Sequence, residues 1–270
     1  TACPTGSMLA RTSVCRTVSS NVGHGYPRRM PLRSADEYVA SLRDGRRVYY
    51  RGERVHDVTT HPVIARAIDH ASIDFRMAED PVFRDLAVVH GTHGEQSRYF
   101  ATPTSGEDLL NRSRLIEEAT RAGTSYASRV RAFHDHCAQN DLAIAVAQTD
   151  VKGDRSLGPA ELAVKGNPDA YVRIVERRPD GIVVRGAKTH TSCTTNVNEL
   201  IVLPTRAMSE ADADYAVSFA IPVDTPGLTL VASPHGGASR DAFDHPISSR
   251  HKMMETLTIF DDVFVPMERV

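Results

Sequence analysis

The stretch "YVRIVERRPDGIVVRGAKTHTS", residues 171–192, decides the fold class of this chain. Two runs rich in Val and Ile are divided by Pro179-Asp180-Gly181. Each of those three residues favours a turn, Pro by presetting φ, Asp by bonding nearby backbone and Gly by admitting positive φ. β-branched runs bounded by such residues read as strands. The signature recurs downstream in "ELIVLPT", "YAVSFAIPV", "LTLVAS" and "ETLTIFDDVFVP", with Pro222, Pro226-Gly227 and His235-Gly236-Gly237 between them. Short strands at regular spacing predict a β-barrel or sandwich over residues 141–270.

Upstream the period changes. Ser34 with Glu37 fits a capping box opening "SADEYVASLRDG", closed by Gly45. "RRVYYRGERVHDV" alternates around Gly52 and reads as a small hairpin. "HPVIARAIDHASIDFRMAED" carries Ile64, Ala67, Ile68, Ala71 and Phe75 at helical spacing. Ser105 and Asp108 open "GEDLLNRSRLIEEATRAG", which Gly123 would end, and "SYASRVRAFHDHCAQNDLAIAVAQ" reads as a further helix running into an apolar segment. A helical block followed by a β block predicts an α+β arrangement, not alternating βαβ units. The expected organisation is a helical domain over 31–140 and a β domain over 141–270. Residues 1–30, rich in Ser, Thr, Arg and Gly without periodicity, read as a disordered leader or a non-native segment.

Composition narrows the function classes. The 270 residues carry a net charge of -2, so no electrostatic case exists for nucleic acid or an anionic membrane. No apolar run approaches the ~20 residues of a spanning helix. Cys3, Cys15, Cys137 and Cys193 are dispersed and form no CxxC pair, which predicts a reducing cytoplasm. Phosphate loops of the GxxxxGK[ST] and GxGxxG kinds are missing, as are H-E-x-x-H and G-x-S-x-G. His134, His136 and Cys137 read as a helix face, because positions two apart point away from each other, so no metal ligands are assigned. His90 and His93, beside Gly91 and Gly94, read as a loop.

Two loops hold more chemistry than a turn requires. "TDVKGDRSLGP", residues 149–159, offers Thr149, Lys152, Gly153, Asp154, Arg155 and Ser156 at the mouth of the apolar segment, groups suited to a phosphate or a flavin pyrimidine edge. "GAKTHTSCTTN", residues 186–196, interrupts two strongly β segments with Lys188, His190 and several hydroxyls. A solvated turn and a long hairpin loop remain the plain readings of each.

Taken in order, "NDL…TDVKGDRS…YVRIVERRPDGIVVRGAKTH…ELIVLPTRAM…DYAVSFAIPVDTPGL…FDHPISSR…IFDDVFVPMERV" resembles the 4-hydroxyphenylacetate 3-hydroxylase family, which also contains 4-hydroxybutyryl-CoA dehydratase. The resemblance covers roughly residues 31–270. It implies an acyl-CoA-dehydrogenase-like fold with an N-terminal helical domain, a middle β-barrel and a C-terminal four-helix domain, assembled as a homotetramer. The chain stops at "FVPMERV", where that family enters its C-terminal helices, so the four-helix domain is expected to be absent. The "AKTHTS" pattern is nearer the dehydratase branch, and "FDHPISSR" nearer the hydroxylase branch. No Cys lies between residues 100 and 136, where dehydratases hold cluster ligands, and the position of a substrate-contacting His in hydroxylases matches Val146.

The resemblance implies FAD, used as FADH2, and a flavin-dependent monooxygenase of the two-component type hydroxylating a phenolic substrate. A separate flavin reductase is the implied partner. Carried over by position, Thr149, Lys152, Gly153, Asp154, Arg155, Lys188 and Ser192 are expected to bind the cofactor, and His190 to act in proton transfer. An acyl-CoA dehydratase or isomerase is the alternative enzyme, and a truncated, non-catalytic fragment the third reading.

Overall fold

A computed structural model describes residues 32–91, 94–101, 126–234 and 243–270. Residues 1–30, the helix expected between Ser105 and Gly123, His93 and the His235–Gly237 turn lie outside the described residues. The chain is mixed helix and sheet, with short helices in its first half and most strands after residue 143.

Helix α1 (Ala35–Ser41) starts where the capping box predicts. Ser34 Oγ accepts from the Glu37 N–H, and Glu37 accepts from the Ser34 N–H in return. The helix expected over residues 61–80 is two helices, α2 (Ile64–Ala71) and α3 (Ile73–Glu79). Ser72 divides them: its hydroxyl donates to the Ile68 carbonyl at 2.8 Å, a back-bond that bends helices. After a short α4 (Arg84–Ala87) and the hairpin β3 (Val88–Gly91) and β4 (Gly94–Ser97), α5 (Ala127–Asn140) ends at Asp141, which takes a left-handed φ of 48°. The apolar segment beyond it is strand β5 (Ile144–Ala147), not helix.

Hairpin β1 (Val48–Tyr50) and β2 (Glu53–Val55) forms around Arg51 and Gly52, both at positive φ as a two-residue hairpin turn requires. It does not stay among the helices: β1 runs parallel beside β10 (Leu228–Ala232) in a six-stranded sheet. That sheet also holds β6 (Arg173–Arg178), β7 (Gly181–Ser192) and β11 (Glu255–Pro266), in the order β2-β1-β10-β11-β7-β6. The stretch 171–192 is its β6–β7 hairpin, with Arg178 paired to Gly181 across Pro179-Asp180. A separate three-stranded sheet, β5-β8-β9, adds β8 (Glu199–Val202) and β9 (Phe219–Pro222).

Among the described residues neither sheet closes, which corrects the expected barrel: β2 and β6 end one sheet, β5 and β9 the other. Apolar faces from both sheets and the helices bury into one core containing Tyr38, Ile64, Val184, Leu200, Leu230 and Phe260. The sheets are joined at one corner, where Asp150 bridges Lys188 and the Thr189 N–H donates to the Thr149 carbonyl at 2.8 Å. No helix among the described residues is long and apolar enough to cross a membrane.

Tyr38 anchors α1 in this core. Its ring stacks on Phe75 at 4.4 Å, and its hydroxyl donates to the Asn196 carbonyl at 2.7 Å. Burial pushes its pKa from the ordinary 10.0 up to about 12, against smaller lowering contributions from the Asn196 side chain and the Arg46 and Arg33 charges. The folded protein therefore keeps a proton the unfolded chain gives up. The contribution is intact below pH 10 and falls away by about 2–3 kcal/mol as pH rises through the folded value. Urea unfolding of the wild type at pH 9 and pH 11.5 should record about 2 kcal/mol of that loss. In Tyr38→Phe the difference between the two pH values is expected to shrink; an unchanged difference would assign the loss to other groups.

Candidate functional site

The two polar loops singled out in the sequence meet at the corner between the sheets. Thr149 is half-buried and receives the Thr189 N–H, so the 149–155 loop starts hydrogen-bonded to β7. Asp150 is buried, with its carboxylate ion-paired to Lys188 and accepting from the Thr205 hydroxyl and, at 3.3 Å, from the Thr205 N–H. Beyond it the loop turns outward. Lys152 (φ 73°) donates its N–H to the Ala170 carbonyl, and Gly153 (φ 61°) passes near Leu162 and Asn167. Asp154 is exposed but folded onto Ser156, accepting from its N–H at 3.0 Å and its hydroxyl at 2.7 Å, which holds the carboxyl below the usual range. Arg155 is exposed. With Asp154 occupied in this way, the loop's remaining charged side chains are the exposed Arg155 and the half-buried Lys152, a set that suits an anionic group.

Lys188 was expected to touch the cofactor, but its ammonium points inward. It donates to the Gln148 carbonyl at 3.1 Å, the Leu203 carbonyl at 2.7 Å and the Asp150 carboxylate, which uses all three of its N–H bonds. Burial pushes its pKa below the ordinary lysine value, with Asp150 pulling the other way. The geometry therefore commits Lys188 to the joint between the sheets.

His190 and Ser192 lie two residues apart near the end of β7, beside the start of β11. His190 is 70 % exposed, with Nδ1 3.3 Å from Glu255 Oε2. Ser192, half-buried, is paired across the sheet with Glu255. Between them Thr191 turns inward and joins Thr194, Thr256 and Thr258 in a buried cluster whose hydroxyl oxygens lie 2.6–2.9 Å apart. Six non-glycine residues among those described have positive φ, and Lys152, His190 and Cys193 are three of them. Such conformations cost of order 1–3 kcal/mol each and gather where a site holds them.

A cavity of about 190 Å³ lies among the helices and the start of β5, lined by Tyr38, Phe75, Tyr99, Phe100, Asp141 and Cys193 among others. Its walls are mostly apolar side chains. Burial pushes the Asp141 carboxyl up, although Arg33 donates its backbone N–H to it at 3.0 Å. Val146 faces outward from β5. Among the described residues no group of three or more His, Cys, Asp or Glu could hold a metal ion.

Sequence reasoning missed Thr205 and Glu255, and read Asp150 only as part of a polar loop. No spacing rule reaches them, since Asp150 finds Lys188 at 38 residues and Thr205 at 55.

Residues 34–124 and 117–270 match the family described as 4-hydroxyphenylacetate 3-hydroxylase N terminal. The 4-hydroxybutyryl-CoA dehydratase/vinylacetyl-CoA-Delta-isomerase of Clostridium aminobutyricum is 33% identical over 88% of this chain and 55% of its own. The 4-hydroxyphenylacetate 3-monooxygenase oxygenase component of Thermus thermophilus is 30% identical over 88% of this chain and 54% of its own. Among solved structures, an archaeal 4-hydroxybutyryl-CoA dehydratase from N. maritimus superposes with a TM-score of 0.76 at 28% identity, covering 88% of this chain and 53% of that one. The oxygenase component HpaB of 4-hydroxyphenylacetate 3-monooxygenase, complexed with FAD, superposes at 0.74 with 30% identity, covering 88% and 54%. The chain thus spans about half the length of the relatives it matches. With most of its length from residue 34 to residue 270 matched, the chain belongs to the 4-hydroxyphenylacetate 3-hydroxylase family, in the part that the family's N-terminal region describes.

Proposed function

We propose that this chain forms the flavin-facing part of an oxygenase component that uses FAD in its reduced form to hydroxylate a single-ring phenol. The observation that carries the reading is the pairing of Thr149 and Asp150, which open the 149–155 loop, with Lys188 and Thr189 of β7, next in sequence to His190 and Ser192, in a chain similar to a structure complexed with FAD. Reduced flavin, when bound, supplies the electrons that activate O2 for transfer to the ring. Lys152 and Arg155 would hold its anionic part, Gly153 would admit close backbone approach, and Thr149 and Ser192 would contact the ring system. His190, with Glu255 on Nδ1, would present Nε2 as the group that moves a proton. The 190 Å³ cavity supports an aromatic substrate in size, since an apolar cavity of about 150 Å³ already takes benzene. An acyl-CoA-dehydrogenase-like arrangement, a homotetramer and a separate flavin reductase belong to the same reading.

Anaerobic titration of the purified protein with FADH2, and aerobic titration with FAD, tests it. Saturable spectral perturbation is expected. Arg155→Ala should weaken binding by about tenfold with an unchanged melting temperature, because it removes a charge-assisted contact and no packing. Failure to bind either form of flavin would overturn the reading. The dehydratase relative at 33% identity supports acyl-CoA dehydratase chemistry as a second reading. Iron and acid-labile sulfide in the purified protein would favour it over the first.

A further inference from the structure

His70, in the last turn of α2, and His251, just ahead of β11, are 181 residues apart in sequence and face each other in space. Both are exposed, their Nδ1 atoms are 3.2 Å apart, and their ring centroids are 5.1 Å apart at an interplanar angle of 61°. Each ring is held from behind by its own segment. α2 is anchored by buried Ile64, Ala67 and Ile68, and His251 is the end of a turn in which its N–H donates to the Ile247 carbonyl at 2.8 Å.

The distances bear on what lies between the rings. In a straight N–H···N hydrogen bond both ring axes lie along the line joining the nitrogens, which would put the centroids roughly 5.5 Å apart. The observed 5.1 Å means that the axes are bent off that line. A cation 2.0–2.1 Å from two nitrogens that are 3.2 Å apart subtends an angle of about 100°, and ring axes meeting at that cation put the centroids roughly 5 Å apart. Both separations suit lone pairs that converge on one point at a near-tetrahedral angle, as well as the bent hydrogen bond that joins the rings when no ion is bound. The neighbouring acid, Asp69, is turned to Arg76 at 3.0 Å, and among the described residues no third His, Cys, Asp or Glu joins the two imidazoles.

We propose that His70 and His251 form a two-histidine site for a divalent transition metal of the class that favours imidazole, Zn²⁺, Ni²⁺ or Cu²⁺, with water completing the coordination. The bound ion staples the 243–254 segment to the helical layer. The site is built from residues outside the flavin loops and does not depend on the flavin reading.

Isothermal titration of the metal-stripped protein with Zn²⁺ and separately with Ni²⁺ tests the site, alongside His70→Ala and His251→Ala. One ion per chain is expected for the wild type, and each substitution should weaken that binding by about tenfold or more. Added Zn²⁺ should raise the melting temperature of the wild type and leave those of the variants unmoved, because an ion that binds only the folded state stabilises it by mass action. Hydrogen exchange across 243–254 should slow with Zn²⁺ in the wild type alone. Both side chains are on the surface, so the metal-free variants should melt with the wild type. Binding equally tight in wild type and variants, or no binding, would overturn the proposal.

Discussion

Lys188→Met is expected to lower the stability of the folded protein by about 3–5 kcal/mol, read as a fall in the urea midpoint at unchanged slope. Lys188 and Asp150 are each 2 % exposed, and their ion pair sits where the two sheets join. Methionine keeps most of the stem but removes the ammonium. The Gln148 and Leu203 carbonyls then lose a donor, and the Asp150 carboxylate is left buried with only Thr205 to satisfy it. Asp150→Asn should be costly for the opposite reason, since it strands a buried cation. The double variant should recover part of the loss, giving a coupling energy of about 0.5–3 kcal/mol in a double-mutant cycle. Singles that lose less than about 1 kcal/mol, or that add without coupling, would show that the pair does not hold the corner. Because the 149–155 loop leaves the sheet at this pair, the singles should also bind flavin more weakly than their stability alone accounts for at temperatures where they remain folded.

Gly186→Ala is expected to be as damaging, by about 3 kcal/mol or more, through strain and not through charge. Gly186 has φ +134°, a conformation side-chain-bearing residues rarely adopt. An added Cβ would meet the Tyr171 carbonyl oxygen at 2.3 Å and the Val172 Cα at 2.7 Å. Both obstacles are backbone of buried residues, so neither can swing aside. The strain would fall on β7 two residues before Lys188 and four before His190. Gly45→Ala is the matched control: its nearest neighbour would be Asp224 Cβ at 4.0 Å and its φ lies outside the positive range. That variant should unfold within about 1 kcal/mol of the wild type. Thermal unfolding of the two variants side by side decides the point, and a Gly186→Ala protein as stable as the control would refute the close approach at Tyr171.

The legibility of the fold followed the range of the interactions. The Ser34 capping box, the hairpin turn at Arg51-Gly52 and the 179–181 turn rest on contacts within three or four residues, and each appears where the sequence places it. The break at Ser72 is equally local, yet helical spacing over residues 61–80 hides it, because the apolar stripe continues through both helices. The barrel expectation failed on partner choice. β-branched runs identify strands without naming their neighbours, and neither the parallel pairing of β1 with β10 nor the separation of β5-β8-β9 leaves a periodic signal.

The same division runs through the candidate site. By itself the sequence determined the two polar loops, their residue types and the family, since these depend on the order of residues along the chain. Only the tertiary structure decided what each side chain does there. It turned Lys188 inward, folded Asp154 onto Ser156, set Glu255 beside His190 and left Arg155 exposed and Lys152 half-buried. The physical reason is that a polar side chain's role is set by the donors and acceptors within about 3 Å of it. For Lys188 those belong to residues 148, 150 and 203, which only the folded chain brings together.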